Sequence, residues 1–144
     1  METQSKYNRN LVKNMERKFI PLKNLEVYKL ARELSKITWK IYQDLDWQDK
    51  KTMGDQFLTA TDSVGANIAE GYSRFHYLDR IKFYYNARAS LSEANDHWIE
   101  LLNERKKIKP DLYKKFKINA KELGVKLNNF IASTYKAKTS NEFP

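Results

Sequence analysis

The sequence predicts an all-α protein that folds as an antiparallel up-down-up-down four-helix bundle. Apolar residues recur three and four positions apart along four long stretches, which is the spacing of one buried helical face. The 144 residues include only four glycines and three prolines, so the chain has few turns between these stretches. Four helices with short connections pack in alternating directions. The length is sufficient for one domain with a core of its own.

The first two helices are predicted over about residues 24–45 and 48–74. Asn24 is the expected N-cap of the first helix. Its apolar stripe comprises Val27, Leu30, Ala31, Leu34, Thr38, Ile41 and Leu45. The acidic segment 46–49 favours the start of the second helix, where the helix dipole is positive. The stripe of the second helix comprises Met53, Phe57, Ala60, Val64, Asn67, Ile68 and Gly71.

The third and fourth helices are predicted on either side of Pro110. The third begins at residues 77–79 and ends near Lys106, because the proline prevents continuation. Its stripe comprises Tyr84, Ala87, Leu91, Ala94, Trp98 and Leu101. Asp111 opens the fourth helix, whose stripe comprises Leu112, Phe116, Ala120, Leu123, Leu127, Phe130 and Ile131. We expect the bundle domain to cover residues 19–138, between a basic flexible arm at 1–18 and a disordered tail at 139–144.

The segment 63–74 is unusual because two glycines, an amide and a carboxylate interrupt a helical pattern. The stripe turns Asn67 and Gly71 inward. A glycine inside a helix costs up to ~1 kcal/mol relative to alanine, which suggests the close approach of another backbone or a bend. We interpret a set of five polar or small residues as a structural motif that fixes helix register. These residues are Asn67, Glu70, Gly71, Ser90 and Glu93. The residue pattern leaves an active site at Asn67, Glu70 and Glu93 as the alternative.

The side-chain inventory predicts no enzyme, no cofactor and no metal site. The absence of cysteine excludes disulfides, thiolate nucleophiles and most zinc sites. Di-iron bundles need two Glu-x-x-His pairs, whereas Glu93 and His97 lie four residues apart and stand alone. The remaining alternative is a small helical ribonuclease with an Arg-x-x-x-x-His motif. The nearest pairs have the wrong spacing, and they are Arg74 with His76 and Arg88 with His97.

The formal net charge of +9 is concentrated at the two ends of the chain. Residues 1–23 carry +4, residues 24–104 carry −3 and residues 105–144 carry +8. At ~100° per residue, four lysines of the last helix fall within about a third of a turn, opposite the apolar stripe. We predict that this face, the preceding turn and the arm contact the phosphates of RNA or DNA, which positions a ligand without specifying its sequence. The predicted contacts are Arg105, Lys106, Lys107, Lys109, Lys114, Lys117, Lys121, Lys136, Arg17 and Lys18. A solvated face that keeps the protein soluble is the alternative.

The chain has more aromatic residues than one small core requires. It contains three Trp, nine Tyr and seven Phe, and several lie off the main stripes. They include Tyr28, Phe75, Tyr77, either Phe83 or Tyr85, and Tyr113. Aromatic residues on a second helical face are typical of subunit interfaces, so we expect a homo-oligomer. The alternative is that these rings cover the edges of the core.

Three stretches resemble a known bacterial family. Residues 67–71, with the sequence Asn-Ile-Ala-Glu-Gly, resemble the signature of the four helix bundle proteins, also called 23S rRNA intervening sequence proteins. Residues 25–34 and 81–93 look like the first and third helices of this family, and the resemblance extends from about residue 23 to about residue 135. There are two departures. Gly65 stands where many members have proline, and the arm before Phe19 is longer than is usual.

The resemblance implies a four-helix bundle that assembles as a homopentameric ring. It also implies one of two settings. Members are encoded within intervening sequences of 23S rRNA genes, and the related accessory variability determinants of diversity-generating retroelements partner a reverse transcriptase. We therefore predict a non-enzymatic, homo-oligomeric protein that binds nucleic acid or acts as a scaffold. The alternatives are a scaffold for an acidic protein and a ribonuclease. No apolar run approaches the ~20 residues of a membrane span, and residues 1–23 lack the apolar core of a signal peptide, so we expect a cytoplasmic protein.

Overall fold

The computed structural model describes residues 19–139, together with residues 3, 5, 6, 8 and 9. The described part contains four long helices, two of them interrupted by a π-helical turn, and no strand. Helix α1 is Glu26–Asp44, and α4 is Pro110–Thr139. Helix α2 comprises Trp47–Asp49, a π-helical turn at Lys50–Gly54, and Asp55–Ser73. Helix α3 comprises Tyr77–Ser92, a second π-helical turn at Glu93–Trp98, and Ile99–Glu104. Arg17, Lys18 and residues 140–144 lie outside the described residues.

The four helices form a closed bundle in which each helix packs on two others. Helices α1 and α3 each lie between α2 and α4. The connections cover only residues 45–46, 74–76 and 105–109, so consecutive helices are antiparallel. The prediction of an all-α, up-down-up-down four-helix bundle is confirmed. One layer of the core contains the rings of Phe57 and Phe116, whose centroids lie 5.3 Å apart.

The start of α1 differs from the prediction, because Asn24 is not its N-cap. Asn24 ends a short 3₁₀ turn, and Leu25 occupies the cap position with extended backbone. The backbone N–H of Asn24 donates to Pro21 O at 2.8 Å, and that of Leu25 donates to Leu22 O at 3.0 Å. Leu25 is also buried. The chain therefore enters the bundle through backbone bonds and an apolar anchor rather than through a polar side chain.

The start of α2 agrees with the acidic pattern at residues 46–49. The carboxylate of Asp46 accepts a hydrogen bond from the backbone N–H of Asp49 at 2.8 Å, which is an N-cap bond.

Helix α4 begins at Pro110, one residue before the predicted Asp111. Proline is favoured in the first turn of a helix because the N–H that it lacks has no partner within the helix there.

The second half of α3 is rotated relative to the predicted stripe. Trp98 and Leu101 were expected inside, but Ile99 and Leu102 are completely buried, and the predicted pair is only half-buried. The cause is the π-helical turn at Glu93–Trp98. A turn closed by i→i+5 bonds holds one more residue than an α-turn, so every later side chain moves one position along the stripe.

Gly71 in α2 faces the interior, as the stripe predicted. A Cβ atom placed on Gly71 would lie 2.7 Å from Tyr84 Cε1 and 2.9 Å from Phe83 Cβ, so the missing side chain allows α3 to approach α2. The ring of Tyr84 is enclosed by this contact, and burial raises the pKa of Tyr84 to about 12.

Asn67, which the same stripe places inside, is only half-buried. Its Nδ2 donates to Ser63 O at 2.8 Å, one turn back in the same helix.

A buried hydroxyl pair links α1 to α2. Thr38 Oγ1 donates to Thr61 Oγ1 at 3.2 Å, and Thr61 Oγ1 donates to Phe57 O at 2.9 Å. Both threonines are fully buried. Since each hydroxyl has a partner, the pair can lie in the core without the cost of an unsatisfied polar group.

Candidate nucleic-acid interface

The basic turn between α3 and α4 is shaped by its backbone and by one apolar anchor. Lys106 has a φ of 57°, a left-handed conformation that ends α3. The backbone N–H of Lys107 donates to Leu102 O at 2.9 Å, and the side chain of Ile108 is buried. Lys106, Lys107 and Lys109 then line a small cleft of about 240 Å³ together with Asp44.

Two cations of this turn are engaged with α2. Lys107 Nζ lies 3.0 Å from Asp49 Oδ2, and this bond raises the pKa of Lys107. Arg105 Nη1 donates to Met53 Sδ at 2.9 Å. These contacts hold the turn against the first turns of α2. Lys106 and Lys109 are exposed beside them.

Lys117 differs from the predicted pattern because its side chain turns toward α3. Its Nζ lies 2.9 Å from Glu100 Oε1 and donates to Asn95 O at 2.9 Å. Tyr113 donates from its hydroxyl to the same oxygen of Glu100 at 2.8 Å. The hydrogen bond from Lys117 lowers the pKa of Glu100, and the bond to Glu100 raises the pKa of Tyr113. Lys117 therefore ties α4 to α3.

The other lysines of the predicted face are exposed but spread along α4. Lys114 and Lys121 are about 10 Å apart along the axis, whereas Lys136 lies about 22 Å beyond Lys121. The helical period gives them a common angle about the axis, but the angle alone does not make them one patch. Ile118 and Val125 lie on the same outward side and are 58% and 54% exposed. The face is thus basic near its start and mixed further along.

The hydrogen bonds of the polar residues of the structural motif lie within single helices. Glu70 is exposed and pairs with Arg74, with 2.6 Å between Oε1 and Nη2. Glu93 is exposed and accepts a hydrogen bond from Trp98 Nε1 at 2.8 Å. Each carboxylate therefore bonds within its own helix. Ser90 is half-buried on α3.

The two histidines contact aromatic neighbours. The ring of His76 stacks on that of Tyr77 with centroids 5.4 Å apart, and the ring of His97 meets the edge of Trp98 at 4.6 Å. In the part of the chain that the structure describes, no group of three or more histidine or carboxylate side chains could hold a metal ion. None of the described helices is long and apolar enough to cross a bilayer.

Comparison with known proteins identifies the family. The sequence model of the 23S rRNA-intervening sequence proteins matches residues 23–129, which is most of the chain. The chain belongs to this family. The matched residues include the segment 67–71 and end within α4. The resemblance stated from the sequence is therefore confirmed.

The fold is similar to that of a solved relative. This is the 1.70 Å crystal structure of a protein of unknown function from the S23 ribosomal protein family of Bacteroides thetaiotaomicron. The two chains superpose with a TM-score of 0.67 at 25% sequence identity, over 74% of this chain and 95% of the other. No curated protein matches the chain.

Proposed function

We propose that this protein is a non-enzymatic, homo-oligomeric RNA-binding protein that contacts phosphates through four exposed lysines on the α3–α4 turn and the first half of α4. We call these residues the basic end, and they are Lys106, Lys109, Lys114 and Lys121. The observation that carries the proposal is their common exposure on the α3–α4 turn and along the first half of α4, in the part of the chain with the charge excess. Membership of the 23S rRNA-intervening sequence family is compatible with an RNA-associated role.

The chemistry of such a contact is electrostatic. Each exposed ammonium group is a compact charge with three donors, which suits a phosphate oxygen and releases the counterions that the phosphate had condensed. Arg105 and Lys107 are engaged with α2, so they support the shape of the turn rather than lead the contact. Repetition of the basic end in an oligomer adds contacts at high effective concentration. Arg17 and Lys18 of the arm would extend the contact.

The setting of this activity is also part of the proposal. The RNA is one associated with an rRNA intervening sequence, or the protein serves as an accessory to a reverse transcriptase. The position of the gene, inside an rRNA operon or beside a reverse-transcriptase gene, separates the two settings.

The test is charge reversal at two lysines of the basic end. Lys114→Glu with Lys121→Glu should weaken binding to a structured RNA hairpin by roughly tenfold or more at low salt. The slope of log affinity against log salt should also become shallower, because each neutralised phosphate contributes about 0.7 to 0.9 to it. Fluorescence anisotropy of a labelled hairpin over a salt series measures both quantities. Both lysines are exposed, so the variant should unfold at the same temperature as the wild type.

A matched control changes the net charge equally at the opposite end of the bundle. Lys23→Glu with Lys82→Glu alters two exposed lysines near the starts of α1 and α3. We expect a much smaller loss of affinity from this pair. Equal losses would show that only total charge attracts RNA, and no loss from the first pair would contradict the proposed interface.

Two simple observations separate the other candidate functions. A scaffold for an acidic protein would copurify with that protein at low salt. The purified sample would then lack the raised ratio of absorbance at 260 and 280 nm that bound nucleic acid causes. A ribonuclease would shorten the labelled hairpin during the binding measurement, whereas we expect the RNA to remain intact.

A further inference from the structure

A second surface lies between α1 and α2, where the helices leave an open groove of about 730 Å³ on the outside of the bundle. Its floor on α2 consists of small residues, Gly65, Ala66 and Ala69. A Cβ on Gly65 would be 3.6 Å from Ala31 Cβ, so there is room for no more than a methyl group between Gly65 and α1 at this point. The small side chains let a ligand approach the helix backbone. Along α1 the groove extends from Tyr28 to Gln43, about 22 Å.

The more exposed of the two aromatic residues that line the groove is Trp39, and a neighbouring ring contacts it. Trp39 lines the groove, and 49% of its surface is exposed. The ring of Tyr42 stacks on the indole with centroids 5.6 Å apart and 19° between the planes. Because Tyr42 already fixes the orientation of the indole, a flat ligand that stacks there would lose little additional side-chain entropy on binding.

Cations follow the same side of α1. Arg32, Lys36 and Lys40 recur every four residues, and all three are exposed and line the groove. Lys115 of α4 adds a fourth positive charge. The guanidinium of Arg32 lies 5.8 Å over the ring of Tyr28, and its Nη1 bonds to the hydroxyl of that ring at 2.9 Å. Along α1, Arg32 and Lys36 lie between the rings of Tyr28 and Trp39, and Lys40 follows Trp39.

Two acidic residues also line the groove, but they leave the basic excess in place. Glu33 Oε2 lies 3.9 Å from Lys36 Nζ. The hydrogen bond with Tyr28 raises the pKa of Arg32, and the charge of Asp62 acts in the same direction. Four basic residues therefore face two acidic ones. A polymer with one negative charge on each repeating unit suits this excess of positive charge. An apolar surface suits it less well, because its binding would remove water from the cations.

We propose that this groove binds a single-stranded segment of RNA, with one base stacked on Trp39 and the neighbouring phosphates beside Arg32, Lys36 and Lys40. The proposal rests on the proposed function in that the ligand is RNA, but the site is separate from the basic end. Stacking on aromatic side chains beside a positively charged groove is how proteins hold single strands without reading their sequence. Bases inside a duplex are already stacked on each other and cannot reach the indole.

The test is Trp39→Ala, with a fluorescein-labelled oligoadenylate of ten nucleotides as the probe. The affinity should fall roughly tenfold, since one base–aromatic stack is lost. Binding to a hairpin with a fully paired stem should change less than twofold. Trp39→Phe should recover part of the affinity, because phenylalanine keeps a smaller stacking surface. Trp47→Ala is the matched control. Trp47 is 75% exposed and does not line the groove, so its removal should leave the affinity unchanged.

A second measurement needs no variant and so does not depend on the folding of one. The wild-type protein should bind oligoadenylate roughly tenfold more tightly than an abasic strand of the same length, which has the same phosphates but no bases. Equal affinities for the two strands would overturn the proposal.

The outcomes separate this proposal from the proposed function. If Trp39→Ala binds oligoadenylate as tightly as the wild type while the Lys114/Lys121 reversal weakens hairpin binding, the groove proposal fails and the basic end stands. If the reverse holds, the groove stands and the basic end fails. A lower molar mass of Trp39→Ala with unchanged affinity would assign the groove to a second copy of the chain and would overturn the proposal.

Discussion

Gly71 leaves room on α2 for two side chains of α3. A Cβ at this position would come within 3.0 Å of both Tyr84 and Phe83, and neither the enclosed ring nor the Cβ of Phe83 can move without shifting α3. We predict that Gly71→Ala lowers the free energy of unfolding by ~1–3 kcal/mol, despite the better helix propensity of alanine. Urea denaturation followed by circular dichroism measures the change.

Gly65→Ala is the control for this prediction. The two glycines lie in the same helix and both are buried, but a Cβ on Gly65 would make only ordinary contacts at 3.6 and 3.9 Å. We expect this substitution to stabilise the protein, by up to ~1 kcal/mol. If Gly71→Ala stabilised it to the same degree, the assigned contact with Tyr84 would be wrong.

At the scale of residues, the sequence identified the positions that face inward better than the bonds that polar side chains make. Gly71 was predicted inside because it continues a stripe of apolar residues, and it is inside. Asn67 follows the same stripe, yet its amide bonds to its own helix. The hydroxyl of Thr61 bonds across to Thr38 on α1. Such choices depend on which side chain the neighbouring helix presents, and periodicity within one helix does not contain that information.

The ion pair between Glu100 and Lys117 joins the last part of α3 to α4. The hydrogen bond from Lys117 lowers the pKa of Glu100 below its usual 4.5, so the folded state favours the ionised carboxylate. A depressed pKa contributes stability that is fully present above the unfolded value and is lost as the pH falls through the folded value. We therefore predict that Lys117→Met is less stable than the wild type at neutral pH. The difference should shrink between roughly pH 5 and pH 3.

Thermal unfolding at a series of pH values tests this prediction. Lys114→Met is the matched control, since it removes an exposed lysine one turn earlier in the same helix. The control should lose little stability at any pH. A constant difference between Lys117→Met and the wild type down to pH 3 would contradict the role assigned to the ion pair.

At the scale of elements, helix limits were predicted within a few residues, but the phase of α3 was not. The acidic segment 46–49, the proline and the lengths of the stripes are local signals, which explains the agreement, although the cap of α1 is Leu25 rather than the predicted Asn24. The π-helical turn at Glu93–Trp98 leaves no such signal, because the predicted and observed stripes both consist of apolar residues. Lys136 shows a second limit of prediction from helical periodicity. The angular position of a residue follows from its sequence number alone, whereas a patch also requires proximity along the axis.

For the whole molecule, the ends of the bundle differ in character. The end opposite the basic end exposes a group of large apolar residues, which we call the apolar end. It comprises Phe19, Ile20, Phe75 and Leu78, with exposed fractions of 67%, 45%, 73% and 55%. The hydroxyl of Tyr72 bonds to the carbonyl oxygen of Ile20 and so ties the first described segment to the end of α2. Contiguous exposed apolar patches are typical of protein interaction sites, which makes the apolar end a candidate for a subunit contact.

We predict that the protein forms an oligomer of several 17.1 kDa subunits, and five if the ring implied by the family resemblance is correct. Multi-angle light scattering at micromolar concentration measures the mass. Phe75→Ser with Leu78→Ser should reduce the mass if the apolar end lies between subunits. Ile118→Ser with Val125→Ser is the comparison, since it removes two exposed apolar residues from α4. A monomer at every dilution of the wild type would rule out the oligomer.

The candidate surfaces could be predicted from the sequence only in part. The excess charge after residue 104 indicated where the basic end lies, because charge is counted without knowing the fold. The groove between α1 and α2 could not be predicted from the sequence. Its cations and Trp39 belong to α1, but its floor belongs to α2, and only the packing of the two helices shows that they form one surface.

The wide turn in α3 also affects how this chain should be aligned with its relatives. The buried residues Ala94 and Ile99 are five positions apart, where a regular helix would have three or four. The turn thus holds one residue as an insertion, and the helix on both sides of it keeps a buried face toward the core. A relative whose third helix is regular throughout would align with a one-residue gap inside the helix. An alignment that allows gaps only in loops would misassign every core residue from Ile99 to the end of α3.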